Sequence, residues 1–388
     1  MAVDAVWRRD SAGMLGVLAR RLGDLDRAEE ALQEAVAEAL TAWRGEVPAN
    51  PGGWLVTTAW RKAVDALRRE AVAQAKVDRL DPPAPPTDDD RLALIFACCH
   101  PALARPEQVA LTLQAASGLT AEEIAVAFLV PTATMAQRLV RAKRRLREAR
   151  VSFAPPDAAA AAERLPAVLA VVYLVFNEGY LAHSRAVRRD LAREGLELAR
   201  QLVRLLPGET EVAGLTALLE LHEARAAARF DEQGRLVRLA DQDRQLWDRG
   251  LIERAIDRLT AAMARGRLGP YQLQAAIASQ HALAATFATT DWAAIRGLYD
   301  TLLRLQPSPV VRLNRAVATR YAIGPNAALA EVDTLVDELP DYRLVFAIRA
   351  ELLRELGREE EARDALARAL ALATNPAERE LLALRLDG

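Results

Sequence analysis

Residues 119–150 read LTAEEIAVAFLVPTATMAQRLVRAKRRLREAR, two short helical patterns parted by a break, the second ending in a dense basic run. Thr120 followed three residues later by Glu123 makes a capping box, in which hydroxyl and carboxylate each satisfy a backbone amide that a first helical turn leaves without a partner. A helix therefore starts near Ala121, with Ile124, Ala125, Ala127 and Phe128 as its apolar face. Pro131 cannot continue it, because proline has no amide hydrogen and disfavours helical geometry at Val130. The break falls at 129–131 and carries no glycine. Thr132 or Thr134 is placed to cap a second helix, in which Met135, Leu139, Ala142 and Leu146 recur at helical spacing. Gln137, Arg138, Arg141, Arg144 and Arg145 then face outward, within a stretch of seven Lys or Arg and one Glu from Thr132 to Arg150. A solvated basic face would explain the charge run alone. The capped helix, proline-marked turn and basic second helix together describe a helix-turn-helix, whose second helix lays its N-terminal side chains on base edges in the major groove.

The rest of the chain is as helical in character. Its 388 residues suffice for two or three domains, aromatic residues make up only 5%, and alanine, leucine, arginine and glutamate dominate, so an all-α fold with almost no strand is expected. The net charge of −2 hides a segregation. Residues 1–150 hold 21 basic and 20 acidic groups, but Asp24 to Glu38 carries six acids and one base whereas Arg61 to Arg69 carries four bases and one acid.

Asp24 is placed to cap a helix through LDRAEEALQEAVAEALTAW, with Leu25, Ala28, Leu32, Ala35, Val36, Ala39 and Leu40 as one stripe and the acids opposite. After a loop from Arg44, Asn50 and Pro51 restart a helix in the cap-then-first-turn arrangement. Trp54, Leu55, Ala59, Val64 and Leu67 face inward on it, and Arg61, Lys62, Arg68 and Arg69 outward. DPPAPPTDDD at 81–90, four prolines and four acids in ten residues, reads as an extended linker.

No apolar run approaches the eighteen residues of a membrane span, and the N-terminus is not a signal peptide, so a cytoplasmic protein without membrane contact is expected. Cys98 and Cys99 are adjacent, which suits neither a structural disulfide nor a C-x-x-C metal site, and a buried helix explains them better. His183, His222 and His281 are scattered. With no ligand cluster, phosphate loop or nucleophile motif, no metal, no cofactor and no enzymatic activity are expected.

These segments, in this order, resemble a sigma factor of the extracytoplasmic-function type. Asp24 to Trp43, with its AEEALQEAV core, is similar to the second region of that family. The resemblance implies that Asp26, Glu29, Glu30, Gln33 and Glu34 face core RNA polymerase. NPGGWLVTTAWRKAVDALRRE at 50–70 is similar to the helix that recognises the minus-ten promoter element, implying DNA contact by Asn50, Arg61, Lys62, Arg68 and Arg69, with the loop from Arg44 to Asn50 where a flipped base is captured. Residues 119–150 resemble the fourth region, which reads the minus-thirty-five element. Thr134, Ala136, Gln137, Arg138 and Arg141 fall on its recognition positions, with Arg144 and Arg145 on the same basic face.

The residues beyond 150 are periodic in part. Ala294, Ala328 and Ala362 lie 34 apart, as do Leu298, Val332 and Leu366, then Leu302, Val336 and Leu370, then Ala282, Ala316 and Ala350. This is the tetratricopeptide period, in which small residues let paired helices approach closely. Gly324 and Gly357 mark turns, and His281, Arg315 and Arg349 stand where leucine is expected, so the repeats are degenerate. Between the halves, VVYLVFNEGYLAHS at 171–184 reads as an apolar helix ended by a left-handed Gly179, or, because Asn177, Glu178 and Tyr180 need polar partners, as an interdomain latch of Asn177, Glu178, Gly179 and Tyr180. With CCHPAL at 98–103 and GPYQLQAAIA at 269–278, this stretch resembles the sigma-factor subgroup with a long helical extension bearing tetratricopeptide-like repeats.

The sequence thus predicts two small helical sigma domains, the second with a helix-turn-helix, and a helical extension ending in repeats: 1–75 as region 2, 76–90 as linker, 91–150 as region 4, 151–267 as a connecting domain and 268–388 as the repeat domain. The partners implied are core RNA polymerase and promoter DNA, with a protein partner or intramolecular contact for the repeats. Two rivals remain, a one-component helix-turn-helix activator with a repeat sensor domain and a repeat scaffold protein.

Overall fold

The computed structural model describes residues 2–43, 47–69, 83, 85–128, 130–180, 187–233, 235–373, 379 and 382. Among them are seventeen α helices and no strand; one isolated bridge joins Phe230 and Leu236. The chain forms two compact units, 1–206 and 207–388, so the division falls inside the stretch that the sequence assigns to one connecting domain.

In the first unit α1 (Ala2–Leu22), α2 (Leu25–Ala42) and α3 (Pro51–Arg69) pack against one another. Asp24 caps α2 as expected, its Oδ1 accepting from Asp26 N at 2.9 Å and Arg27 N at 3.3 Å. Leu25, Ala28, Leu32, Ala35 and Ala39 bury the helix's inner stripe, while Leu40, expected in it, is 59% exposed because it lies at the stripe's edge. Asn50 caps α3 through Gly53 N at 2.9 Å.

The expected linker ends earlier than its composition suggests. Asp88–Cys98 forms α4, with Thr87 and Asp90 closing a capping box, so the acids at 88–90 are a first helical turn, where carboxylates favour the helix dipole. α5 (Arg105–Ser117) ends at Gly118 in the left-handed conformation, φ 72°. α6 (Ala121–Ala127) and α7 (Thr132–Glu148) are the two predicted short helices. The Thr120–Glu123 capping box is present, but neither Thr132 nor Thr134 caps α7; Pro131 occupies that position.

Residues 158–180 make α8 (Ala158–Tyr180), which runs on through Gly179, so that glycine does not end the helix. Its segment Ala158–Asn177 is long and apolar enough to cross a membrane, contrary to the sequence expectation, since only Glu163 and Arg164 interrupt it. Here it packs on α4, α5 and α9 (Val187–Leu205), and α9 reaches α6 as well. Arg105 Nη1 donates to the carbonyl of Ala167 at 3.1 Å across that contact.

The second unit runs from α10 (Thr210–Glu223) through α11 (Arg249–Met263), α12 (Pro270–Leu283), α13 (Trp292–Leu305), α14 (Pro309–Ala322), α15 (Pro325–Asp333) and α16 (Arg343–Glu355) to α17 (Glu359–Leu372). From α12 on, each helix packs on the next. Ala282, Ala316, Ala350, Ala328, Ala362, Val332, Leu302 and Leu366, all members of the 34-residue columns, are buried at these contacts. Gly324 (φ 137°) and Gly357 (φ 71°) turn the chain between α14 and α15 and between α16 and α17. The arginines in place of leucine are used as ion-pair bridges: Arg315 binds Asp300 at 2.5 Å and Glu331 at 2.6 Å, and Arg349 binds Asp333 at 2.7 Å.

Candidate nucleic-acid interface

The helix-turn-helix is held by the residues whose spacing announced it. Ile124, Ala125, Met135, Leu139, Ala142 and Leu146 are buried, and Val130 N closes the break on the carbonyl of Ala125 at 3.1 Å. Those anchors fix the rotation of α7. Thr134, Gln137, Arg141, Arg144 and Arg145 are exposed on it, and Arg138 is partly so. Arg144 pairs with Glu148 at 3.4 Å, and Arg145 Nη1 donates to Glu107 Oε2 at 2.6 Å, so Arg145 also ties α7 to α5.

The basic face of α3 is less uniform than its sequence. Arg61, Arg68 and Arg69 are exposed, with Arg69 Nε donating to the carbonyl of Asp65 at 3.2 Å. Lys62 instead lies toward α2, 2.9 Å from Glu38 and 3.9 Å from Glu34. Asn50 spends its side-chain oxygen on the helix cap. Of the loop expected to capture a base, residues 44–46 lie outside the described residues. At its foot Trp43 and Trp54 meet edge to face, centroids 5.4 Å apart.

The α2 residues implied to face polymerase divide into two sets. Glu30, Gln33 and Glu34 are exposed. Asp26 and Glu29 are instead engaged by α5 and α7: Lys143 Nζ donates to Glu29 Oε2 at 2.8 Å and lies 3.0 Å from Asp26 Oδ1. Gln114 Nε2 donates to Glu29 Oε1 at 3.0 Å. Arg147 Nη2 donates to Asp26 Oδ2 at 2.9 Å and its Nη1 lies 3.6 Å from Asp24. Burial would lower the Lys143 ammonium, but the charges and hydrogen bonds of Glu29 and Asp26 outweigh it and hold Lys143 above its ordinary value. Sequence reasoning missed Gln114, Lys143 and Arg147; Lys143 and Arg147 stand four apart on α7, one helical face, which was the signal available.

Asn177 is partly buried on α8, and the side chains of Glu178 and Tyr180 lie outside what is described, as do the surroundings of Gly179 and residues 181–186. Cys98 and Cys99 are buried, and burial pushes the Cys99 thiol up to about 12 and that of Cys98 well above its usual range, which keeps both protonated and unreactive.

Three family descriptions match parts of the chain, and the third spans the division between the two compact units. Residues 8–72 match sigma-70 region 2 and residues 93–146 match sigma-70 region 4. Residues 164–263 match a family of unknown function, DUF6596. The Probable ECF RNA polymerase sigma factor SigI of Mycobacterium tuberculosis, in strains CDC 1551 / Oshkosh and H37Rv, is 27% identical over 163 residues, covering 39% of this chain and 56% of that protein. Uncharacterized protein R00370 of Rhizobium meliloti (strain 1021) is 46% identical over 392 residues, covering 96% of this chain and 92% of the relative. The chain therefore belongs to one family with R00370, and it opens with sigma-70 regions 2 and 4, α1–α3 and α4–α7, ahead of a helical extension.

Proposed function

We propose that this chain is an alternative sigma factor of the extracytoplasmic-function type, which directs core RNA polymerase to specific promoters and carries a fused extension for regulation or protein interaction. The observation that supports it most is the order of the two readers. A region 2 match with an acidic helix and a basic helix precedes a region 4 match with a helix-turn-helix. An activator of the one-component kind needs only α6 and α7, and a scaffold needs neither.

In this reading Thr134 and Gln137 near the start of α7 meet base edges of the upstream element, and Arg138, Arg141, Arg144 and Arg145 hold its phosphates or base edges. Arg61, Arg68 and Arg69 hold the downstream element. Lys62 and Asn50 support α3 in position, since their side chains are engaged inside region 2. Asp26, Glu29, Glu30, Gln33 and Glu34 form the polymerase-facing surface. The helix pairs from α12 to α17 are degenerate tetratricopeptide repeats, a reading supported by the burial of the 34-residue columns and the turn glycines at 324 and 357.

Run-off transcription with purified core polymerase and the full chain tests the proposal. Core enzyme plus this protein alone should initiate at a subset of promoters, and core enzyme without it should not. Initiation only when another sigma factor is present would favour the activator reading instead.

A further inference from the structure

We propose that the acidic face of α2 is a shared docking surface: α5 and α7 of the same chain hold it in the free protein, and core polymerase takes the same carboxylates, so the two occupancies exclude each other. This rests on the sigma-factor reading above.

Lysine is rare in this chain. Lys62, Lys76 and Lys143 are its only lysines among 51 basic residues, and Lys143 lies between Asp26 and Glu29, its side chain 11% exposed, whereas Lys62, which pairs with Glu38 and Glu34, is 29% exposed. The Glu29 side chain is 17% exposed, with one oxygen taken by Gln114 and the other by Lys143. Its Oε1 also accepts from Gln33 Nε2 at 3.3 Å, so a carboxylate with three partners and little exposed surface has little room for a further one while this contact holds.

A second contact joins the same two regions. α1 packs on α4 and α5, and Gly16 lies so close to α4 that a Cβ there would overlap the carbonyl of Asp90. Arg20 pairs at 2.8 Å with the Asp90 carboxylate, 1% exposed, and Arg91 pairs with Asp10 at 3.5 Å.

The chain is built so that this contact can part. Eighteen residues, 70–87, connect α3 to α4, a length that spans on the order of 60 Å when extended. Glu30, Gln33 and Glu34, one turn along α2 and exposed, offer a partner its first hold before Asp26 and Glu29 are released. Because only the open form is competent, apparent affinity for polymerase falls by the open fraction.

Carbodiimide coupling tests the proposal on the unaltered full chain, since it joins a carboxylate to an amine only at ion-pair distance and three lysines keep the products few. Lys143–Glu29 or Lys143–Asp26 peptides should form in the free protein. Core polymerase added first should suppress them, and the isolated coupled protein should fail to bind polymerase. Gly16→Ala, which wedges α1 from α4 away from any residue assigned to DNA or polymerase, should lose the coupling and bind core enzyme roughly ten-fold more tightly. Lys143→Gln, which takes the cation from Glu29 and leaves Asp26 only Arg147, should do the same for binding if Gly16→Ala does not fold.

Absence of the coupled peptides, their persistence in the polymerase complex, or full polymerase binding by the coupled protein would each overturn the inference while leaving sigma activity intact. Coupled peptides in a protein that never binds polymerase would sink the sigma reading and reduce the contact to packing.

Discussion

Lys143 and Glu29, 114 residues apart in sequence, meet at 2.8 Å and tie the second helix of the helix-turn-helix in region 4 to the acidic helix of region 2. The same lysine reaches Asp26 at 3.0 Å, and Arg147 adds a second cation four residues on. The surface that the sequence assigns to polymerase is therefore half occupied by the chain's own basic helix. Arg147 is 52% exposed, so its pairs are weak and screened by salt, whereas Lys143 is shielded. Raising salt from about 0.1 to 0.5 M should loosen the Arg147 contact first, which paramagnetic labels on α2 and α7 would register as a broader distance distribution in the full chain.

Glu30 separates docking from closure. It is exposed on α2 and outside the contacts that Lys143, Arg147 and Gln114 make. Glu30→Lys should weaken binding of core polymerase about ten-fold, the scale of a lost and reversed interface charge, without changing helicity. Unchanged co-purification with core enzyme would remove α2 from the docking surface.

Arg141 and Gln137 should fail differently on DNA. Arg141 is exposed on α7 beyond the first turn, a position for holding phosphate, whereas Gln137 is nearer the helix start, where side chains reach base edges. Arg141→Ala should weaken binding to all promoters alike and lower the salt slope by roughly one, while Gln137→Ala should shift preference within the upstream element. The same loss of preference in both variants, measured by titration against a panel of promoter fragments, would contradict this division.

Much of this was legible in the sequence because it is local. The capping box at Thr120, the proline at 131 and the periodic Met135, Leu139, Ala142 and Leu146 act within a few residues, and each is found where the spacing puts it. Positions that misled share a different cause. Asp90 reads as linker beside four prolines, yet it is 1% exposed because Arg20, seventy residues earlier, neutralises it. Lys62 reads as one of four outward bases on α3, and its pairing with Glu38 on the neighbouring helix was not legible from α3 alone. Lys143 reads as one more charge in a basic run. Its role depends on partners on α2 that no local pattern reveals.

The second unit should be sensitive to acid through two histidines. Burial, reinforced by Arg225, Arg229 and His281, lowers His222 to about 3; burial, reinforced by Arg225 and Arg244, lowers His281 to about 4. His281 sits edge-on to Trp292 at 5.1 Å, and Arg244 Nη1, which donates to the carbonyl of His281 at 2.6 Å, fixes the end of α12 beside it. Both histidines are neutral in the folded protein at pH 5, whereas unfolding returns them to an ordinary value near 6.5, where they bind protons. The unfolded state therefore holds more protons from about pH 6.5 down to about 4 for His281 and about 3 for His222, and stability is full above pH 7 and falls as pH falls through this window. Each histidine should contribute a loss on the order of 1–2 kcal/mol by pH 5. Urea unfolding of the full chain at pH 7.5, 6 and 5, set against a His222→Gln, His281→Gln double variant, isolates the effect, because the carboxylates titrate in both proteins. The parent should lose stability more steeply than the variant between pH 6.5 and 5. Parallel pH curves would mean that the histidines are protonated in the folded state and that the arginines around them do not act as argued.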